Sequence, residues 1–251
     1  TDMVFPGQNI RGGVCYFLRS KSHKGLTKIV NNRKTSAPLV AERPLVEPGL
    51  ETFLRYNDSV SILKKVQAQN EETYDNKVQS RNPYGIPSDF KSFSSKPVGT
   101  RQVKMYRSRR GSSSDTEVFI SEKYITNNLN FKDRIKVLVS KASPGGDVYP
   151  HSIIGKPFVG PKNSVSTETY LIVDFVKTLK EGKNLISYME TSFFRFLMSL
   201  IKNTQNISKG SFAYVPVQDL SKSWSDDELF KKYKINSKEQ NFISSMIRPM
   251  N

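Results

Sequence analysis

The stretch "TETYLIVDFVKTLKEGKNLISYMETSFFRFLMSLI", residues 167–201, decides the fold. Its first part, 167–175, is a short apolar run rich in β-branched and aromatic residues, the pattern of a buried strand. Its last part, 184–201, changes period. Leu185, Met189, Phe193, Phe196/Leu197 and Leu200/Ile201 recur every three or four residues, which predicts one long apolar helix over Asn184–Ile201. A buried strand followed by a helix with a wide apolar face requires a mixed core.

Further strands are predicted at 13–18, 26–30, 102–108, 117–121, 135–141 and 156–160. The first two read as a hairpin around "SKSHKG", and 31–50, rich in Pro, Asn and Arg, reads as a linker. Asn57-Asp58 can cap a helix through "SVSILKKVQ". "SDDE" (225–228) and "SKEQ" (237–240) are capping boxes opening two short C-terminal helices. The expected fold is therefore α+β, an irregular or curved mixed sheet with helices packed on one side. Two parts are expected: a terminal strand or hairpin over 1–35 and a larger domain over 36–251.

The 251 residues carry 39 Lys and Arg against 23 Asp and Glu, a net charge of +16. Such a balance points to a polyanion, nucleic acid first. Cys15 is the only cysteine, which excludes a disulfide framework and a cysteine-based zinc site and fits the cytoplasm. His23 and His151 lie far apart with no acidic cluster at ligand spacing, so no metal site is expected. No apolar run reaches membrane-spanning length. Opening at Thr1-Asp2 without Met, the chain reads as part of a longer protein.

The charge is clustered. Between Lys77 and Arg110 stand nine cations and one acid, Asp89, half the excess of the whole chain. Lys77, Arg81, Lys91, Lys96, Arg101 and Lys104 suit phosphate contacts, and Arg107, Arg109 and Arg110 suit guanine edges. Tyr84, Phe90, Phe93 and Tyr106 are interleaved. A second polar strip, "KNTQNISKGS" (202–211), follows the apolar helix. There Lys202 and Lys209 are phosphate candidates, and Asn203, Gln205 and Asn206 can read bases. The loop 140–157 adds Lys141, Ser143 and His151 as base-recognition candidates.

Enzymes that methylate the exocyclic amine of adenine carry Asn or Asp, two prolines, then Tyr or Phe. "RNPYG" (81–85) lacks one proline, and no donor-binding pattern precedes it. It reads as a rigid turn. Six segments nevertheless carry a resemblance: "FPGQNIRGGVCYFL" (5–18), "RNPYGIP" (81–87), "VLVSKASPGGDVYPHSIIGKPFV" (137–159), "STETYLIV" (166–173), "FFRFLMSLIKNTQNISKGSFAYVPVQD" (193–219) and "WSDDELFKKYKINSKEQNFISSMIRPM" (224–250). In this order they resemble the C-terminal part of bacterial adenine-specific DNA methyltransferases of restriction–modification systems, fused restriction-and-modification enzymes included.

The resemblance implies a target recognition domain for double-stranded DNA, with no catalytic residue and no cofactor in this chain. S-adenosylmethionine and the catalytic run would belong to the catalytic part of the parent protein, a partner domain or subunit. "GGVCYFL" would be the last strand of that catalytic fold. Arg19 and Ser20 depart from the family, where Trp-Asp often follows. Two other readings stay open: a complete small DNA-modifying or DNA-cleaving enzyme, and a protein-docking specificity subunit in which helix 184–201 and the C-terminal helices meet a catalytic partner.

Overall fold

In the computed structural model, residues 15–32, 37–108, 116–142, 150–202 and 206–250 are described. The fold is α+β. Strands β1 (Thr27–Asn31) and β2 (Leu39–Arg43) form an antiparallel pair. Helix α1 (Ser59–Gln67) follows. Strands β3 (Gln102–Tyr106), β4 (Glu117–Ser121) and β7 (Ser164–Ser166) make one three-stranded sheet, ordered β4-β3-β7 with β3 and β7 parallel. Strands β5 (Ile135–Ser140), β6 (Phe158–Gly160) and β8 (Tyr170–Val176) make another, ordered β6-β5-β8 and antiparallel throughout. Helices α2 (Leu179–Glu190), α3 (Ser192–Ser199), α4 (Asp226–Lys232) and α5 (Ser237–Met246) complete the chain.

The β5–β8 pair is buried on both faces. Val137, Val139, Leu171 and Val173 join Leu185, Phe193, Phe196 and Leu197 in the larger core. Leu138 and Ile172 point the other way, into a second core with Val103, Met105, Val118 and Val165. The run "YLIVDF" is continuously apolar up to Asp174 because a strand covered on both sides needs apolar residues at both parities. Gly182 lets α2 approach this sheet: a Cβ there would stand 2.9 Å from Cγ2 of Val159.

Double burial also encloses Lys136. Its side chain lies opposite Gly160, and its Nζ donates to the carbonyl of Ser164 at 2.6 Å and to that of Lys132 at 3.2 Å. Burial lowers the amine to a pKa of about 7.

The expected long helix is two helices. Thr191 adopts extended backbone (ψ 150) between them, and its hydroxyl accepts from the N–H of Phe194. Asp226 accepts from the N–H of Ser192 and Phe193 at 2.9 and 2.8 Å. Arg195, 1 % exposed, donates through Nε and Nη2 to the carbonyls of Thr191 and Glu190 at the end of α2, and through Nη1 to that of Arg248. Apolar periodicity continues through the break because both helices face one core, so side-chain spacing hid it. The first helix also starts earlier than expected, where Thr178 caps Glu181.

The N-terminal hairpin differs too. Residues 15–20 are not strand, and Tyr16, Phe17 and Leu18 are exposed; Gly13 and Val14 lie outside the described residues. β1 pairs instead with β2, inside the expected linker and across the 35/36 division. Asn57 clasps this pair, donating from Nδ2 to the carbonyls of Ile29 and Leu39 and accepting from Nε of Arg43. It is thereby used as a clasp, and α1 begins at Ser59, with Asp58 as an N-cap residue that makes no side-chain capping hydrogen bond. The last capping box is shifted by one residue: Asn236, not Ser237, accepts from the N–H of the residue three on, Glu239.

Asp226→Ala removes both acceptors at the start of α3 and should lower stability by about 1–2 kcal/mol in urea unfolding. Lys136 supplies a pH test. The unfolded lysine keeps its proton to about pH 10.5, whereas the folded one releases it above about 7. The unfolded state therefore binds more protons in that window. Relative to Lys136→Met, the native chain should gain about 1.4 kcal/mol per pH unit between pH 7 and 10.

Candidate nucleic-acid interface

The turn at "RNPYG" is the nearest approach to an active-site motif. Asn82 (φ 56) and Gly85 (φ 72) take left-handed backbone, and the N–H of Gly85 reaches the carbonyl of Asn82 at 3.2 Å. Asn128 donates from Nδ2 to the carbonyl of Pro83, and Thr126 N–H reaches that of Tyr84. The Tyr84 ring is fully buried, and burial raises its hydroxyl well above the ordinary range. An enclosed ring cannot stack on a base from outside the fold, so the segment acts as a structural turn.

From this turn a series of backbone contacts runs along one end of the fold. Glu168 N–H meets the carbonyl of Ile86 at 3.0 Å, and Thr167 N–H that of Tyr106 at 3.0 Å. Lys141 N–H meets the carbonyl of Thr169 at 2.8 Å. Ala142 then bridges to Asn206, and Ile207 N–H reaches the carbonyl of Lys141 at 2.9 Å. The C-terminal ends of β3 and β5, the loop opening β8 and the segment after α3 are thus neighbours. Lys202 strengthens the junction from the side. Its Nζ donates to the carbonyl of Ile153 at 2.7 Å, and burial lowers the amine to about 8. Ile153 itself holds φ 68, a costly conformation for a β-branched residue. His151 pairs through backbone with Met246 and Arg248.

These contacts bring Arg81, Lys141, His151, Lys202 and Asn206 to one end. Lys209 is exposed in the short 3-10 turn beyond Asn206. The same end carries the flanks of the segments holding Arg109, Arg110, Ser143, Asn203 and Gln205, which themselves lie outside the described residues.

The 77–110 strip is not one surface. Arg101 and Arg107 stand at opposite ends of β3, about 20 Å apart at strand rise. Lys77 pairs with Glu72 at 3.0 Å, Lys104 with Glu117 at 2.8 Å and Arg81 with Glu168 at 2.8 Å. Arg107 is buried, its guanidinium 4.4 Å from the Phe93 ring centroid. Lys91, Lys96 and Arg101 are exposed. The window held a single acid, but folding brings three glutamates to it from outside.

Glu168 is a site residue that no sequence motif marks. Glu168 accepts from Nε and Nη2 of Arg81 (3.1 and 2.8 Å) and from the N–H of Ser88 (3.3 Å). The Arg81 hydrogen bonds hold its carboxyl below the usual range, and the charge of Lys141 adds to this. Only its place in "STETY", just ahead of a buried strand, marked it in the sequence. Among the described residues no group of three or more His, Cys, Asp or Glu is placed to hold a metal, and no helix is long and apolar enough to cross a membrane.

No protein-family model matches the chain, and no curated protein does.

Gly85→Ala should destabilise the turn and with it this end of the fold. A Cβ at φ 72 would stand 1.8 Å from Oγ1 of Thr126. A loss of about 2–4 kcal/mol is expected in chemical denaturation.

Proposed function

We propose that this chain is a sequence-specific double-stranded DNA-binding module, the target recognition part of a restriction–modification adenine-N6 methyltransferase. The carrying observation is the convergence of three segments at one end: the ends of β3 and β5 and the stretch after α3. Between them the sequence supplies Arg109, Arg110, Lys141, Lys202 and Lys209 together with the base-reading amides of Asn203, Gln205 and Asn206. A net charge of +16 supports a polyanion partner. The six family-like segments support the choice of system.

On this reading Lys141 and Lys209 hold phosphates and fix orientation, while the loop residues read base edges; Lys202, expected as a phosphate contact, instead braces Ile153 with its half-buried ammonium. Catalytic chemistry and S-adenosylmethionine belong to a partner domain or subunit. The position of that partner is suggested by exposed apolar side chains. Of twelve large ones among the described residues, nine fall between Tyr16 and Phe53. By contrast Phe193, Phe196 and Leu197, on the helices that a docking subunit would present, are already buried.

The test is selection of the purified chain on a randomised duplex pool at physiological and doubled salt. One enriched motif surviving the higher salt is expected; salt-sensitive binding without enrichment would reduce the module to a phosphate binder. Replacing Lys141 and Lys209 by Ala should flatten the plot of log affinity against log salt by about one unit per cation removed. Calorimetric titration with S-adenosylmethionine should show no heat of binding, and clear binding would favour a complete enzyme.

A further inference from the structure

Arg81 stands apart from the other cations placed at this end because a carboxylate, that of Glu168, holds it. We infer that Arg81 is a base-reading arginine, held by Glu168 to face a guanine in the major groove. This assignment rests on the DNA-binding reading above and moves Arg81 from phosphate contact to specificity.

A carboxylate 2.8 Å from the guanidinium makes the pair neutral to a distant phosphate. Arg81 then contributes little to counterion release, the main source of phosphate affinity. Placing Glu168 on a face meant for phosphates costs attraction, so its presence requires another use. Direction is that use. Both hydrogen bonds from Arg81 end on one oxygen, Oε2, while Oε1 is tied to the backbone N–H of Ser88. The carboxylate is thus fixed to the rigid turn, and the guanidinium is fixed to the carboxylate.

A guanidinium has five N–H donors, and Glu168 engages two groups, Nε and Nη2. The Nη1 edge remains for a ligand, and the Arg81 side chain is 67 % exposed. A flexible arginine would lose rotamer freedom on binding; this one has already lost it. A planar, oriented pair of donors matches O6 and N7 of guanine, the pairing that arginine makes in the major groove. Arg81 is therefore the specificity residue and Glu168 its positioning residue.

The experiment is the same duplex selection run on the native chain, Arg81→Ala, Arg81→Lys and Glu168→Gln, with the salt dependence of binding measured for each on the selected duplex. Arg81 is exposed and Glu168 half-buried, and circular dichroism checks that each variant is folded. Arg81→Ala should lose a guanine preference of about tenfold or more at one position, with the salt slope unchanged. Arg81→Lys should not restore that preference, since lysine lacks the fork. Glu168→Gln should weaken the same position alone, while overall affinity stays level or rises. If the native chain selects a motif and Arg81→Ala keeps it while losing about one unit of salt slope, Arg81 is a phosphate contact and the inference fails alone. If the native chain selects no motif, the DNA-recognition reading fails and this inference with it.

Discussion

Everything else in the structure hangs on the β5–β8 pair being covered on both faces. A strand pair with helices on one side and a second sheet on the other must be apolar at successive residues, and Val137–Val139 and Leu171–Val173 are. The same constraint leaves no outward face for a charged residue. Lys136 is kept inside by hydrogen bonds to carbonyls and by the absence of a side chain at Gly160. Such a lysine is tolerated because its neutral form is accessible near pH 7.

A centre buried this way exports polar function to its ends. The strand ends at Tyr106 and Ser140 and the start of β8 at Tyr170 cannot stay apolar where the cover stops. Backbone groups there are satisfied by neighbouring loops, as between Lys141 and Thr169 or Lys141 and Ile207. Such bonds hold the ends of β3 and β5 and the segment after α3 at a fixed separation. The clasp of Lys202 on Ile153 and the backbone pairing of His151 extend that rigidity toward the C-terminal tail. Arg195 ties the same tail to the helix break, so the α2–α3 junction and this end share one frame.

Electrostatics of the 77–110 strip follow from folding and not from local composition. Lys77, Arg81 and Lys104 meet glutamates drawn from positions 72, 168 and 117. The pairing does not abolish the positive field of the chain; it changes the task of each cation. A paired arginine becomes a fixed donor, whereas an exposed lysine such as Lys209 remains a mobile point charge.

The sequence by itself determined the elements whose signal is local. The apolar run at 170–176, the periodicity through α2 and α3, and the box at Ser225 and Glu228 are all encoded within a few residues. Net charge, too, is a property of composition alone. Tertiary structure decided what depends on distant partners. The break at Thr191 required Asp226 and Arg195, the pairing of β1 with β2 required Asn57, and the neutralisation of Arg81 required a glutamate 87 residues away. Residues joined only by folding leave no common period or spacing, so the candidate site was legible as polar segments but not as a surface.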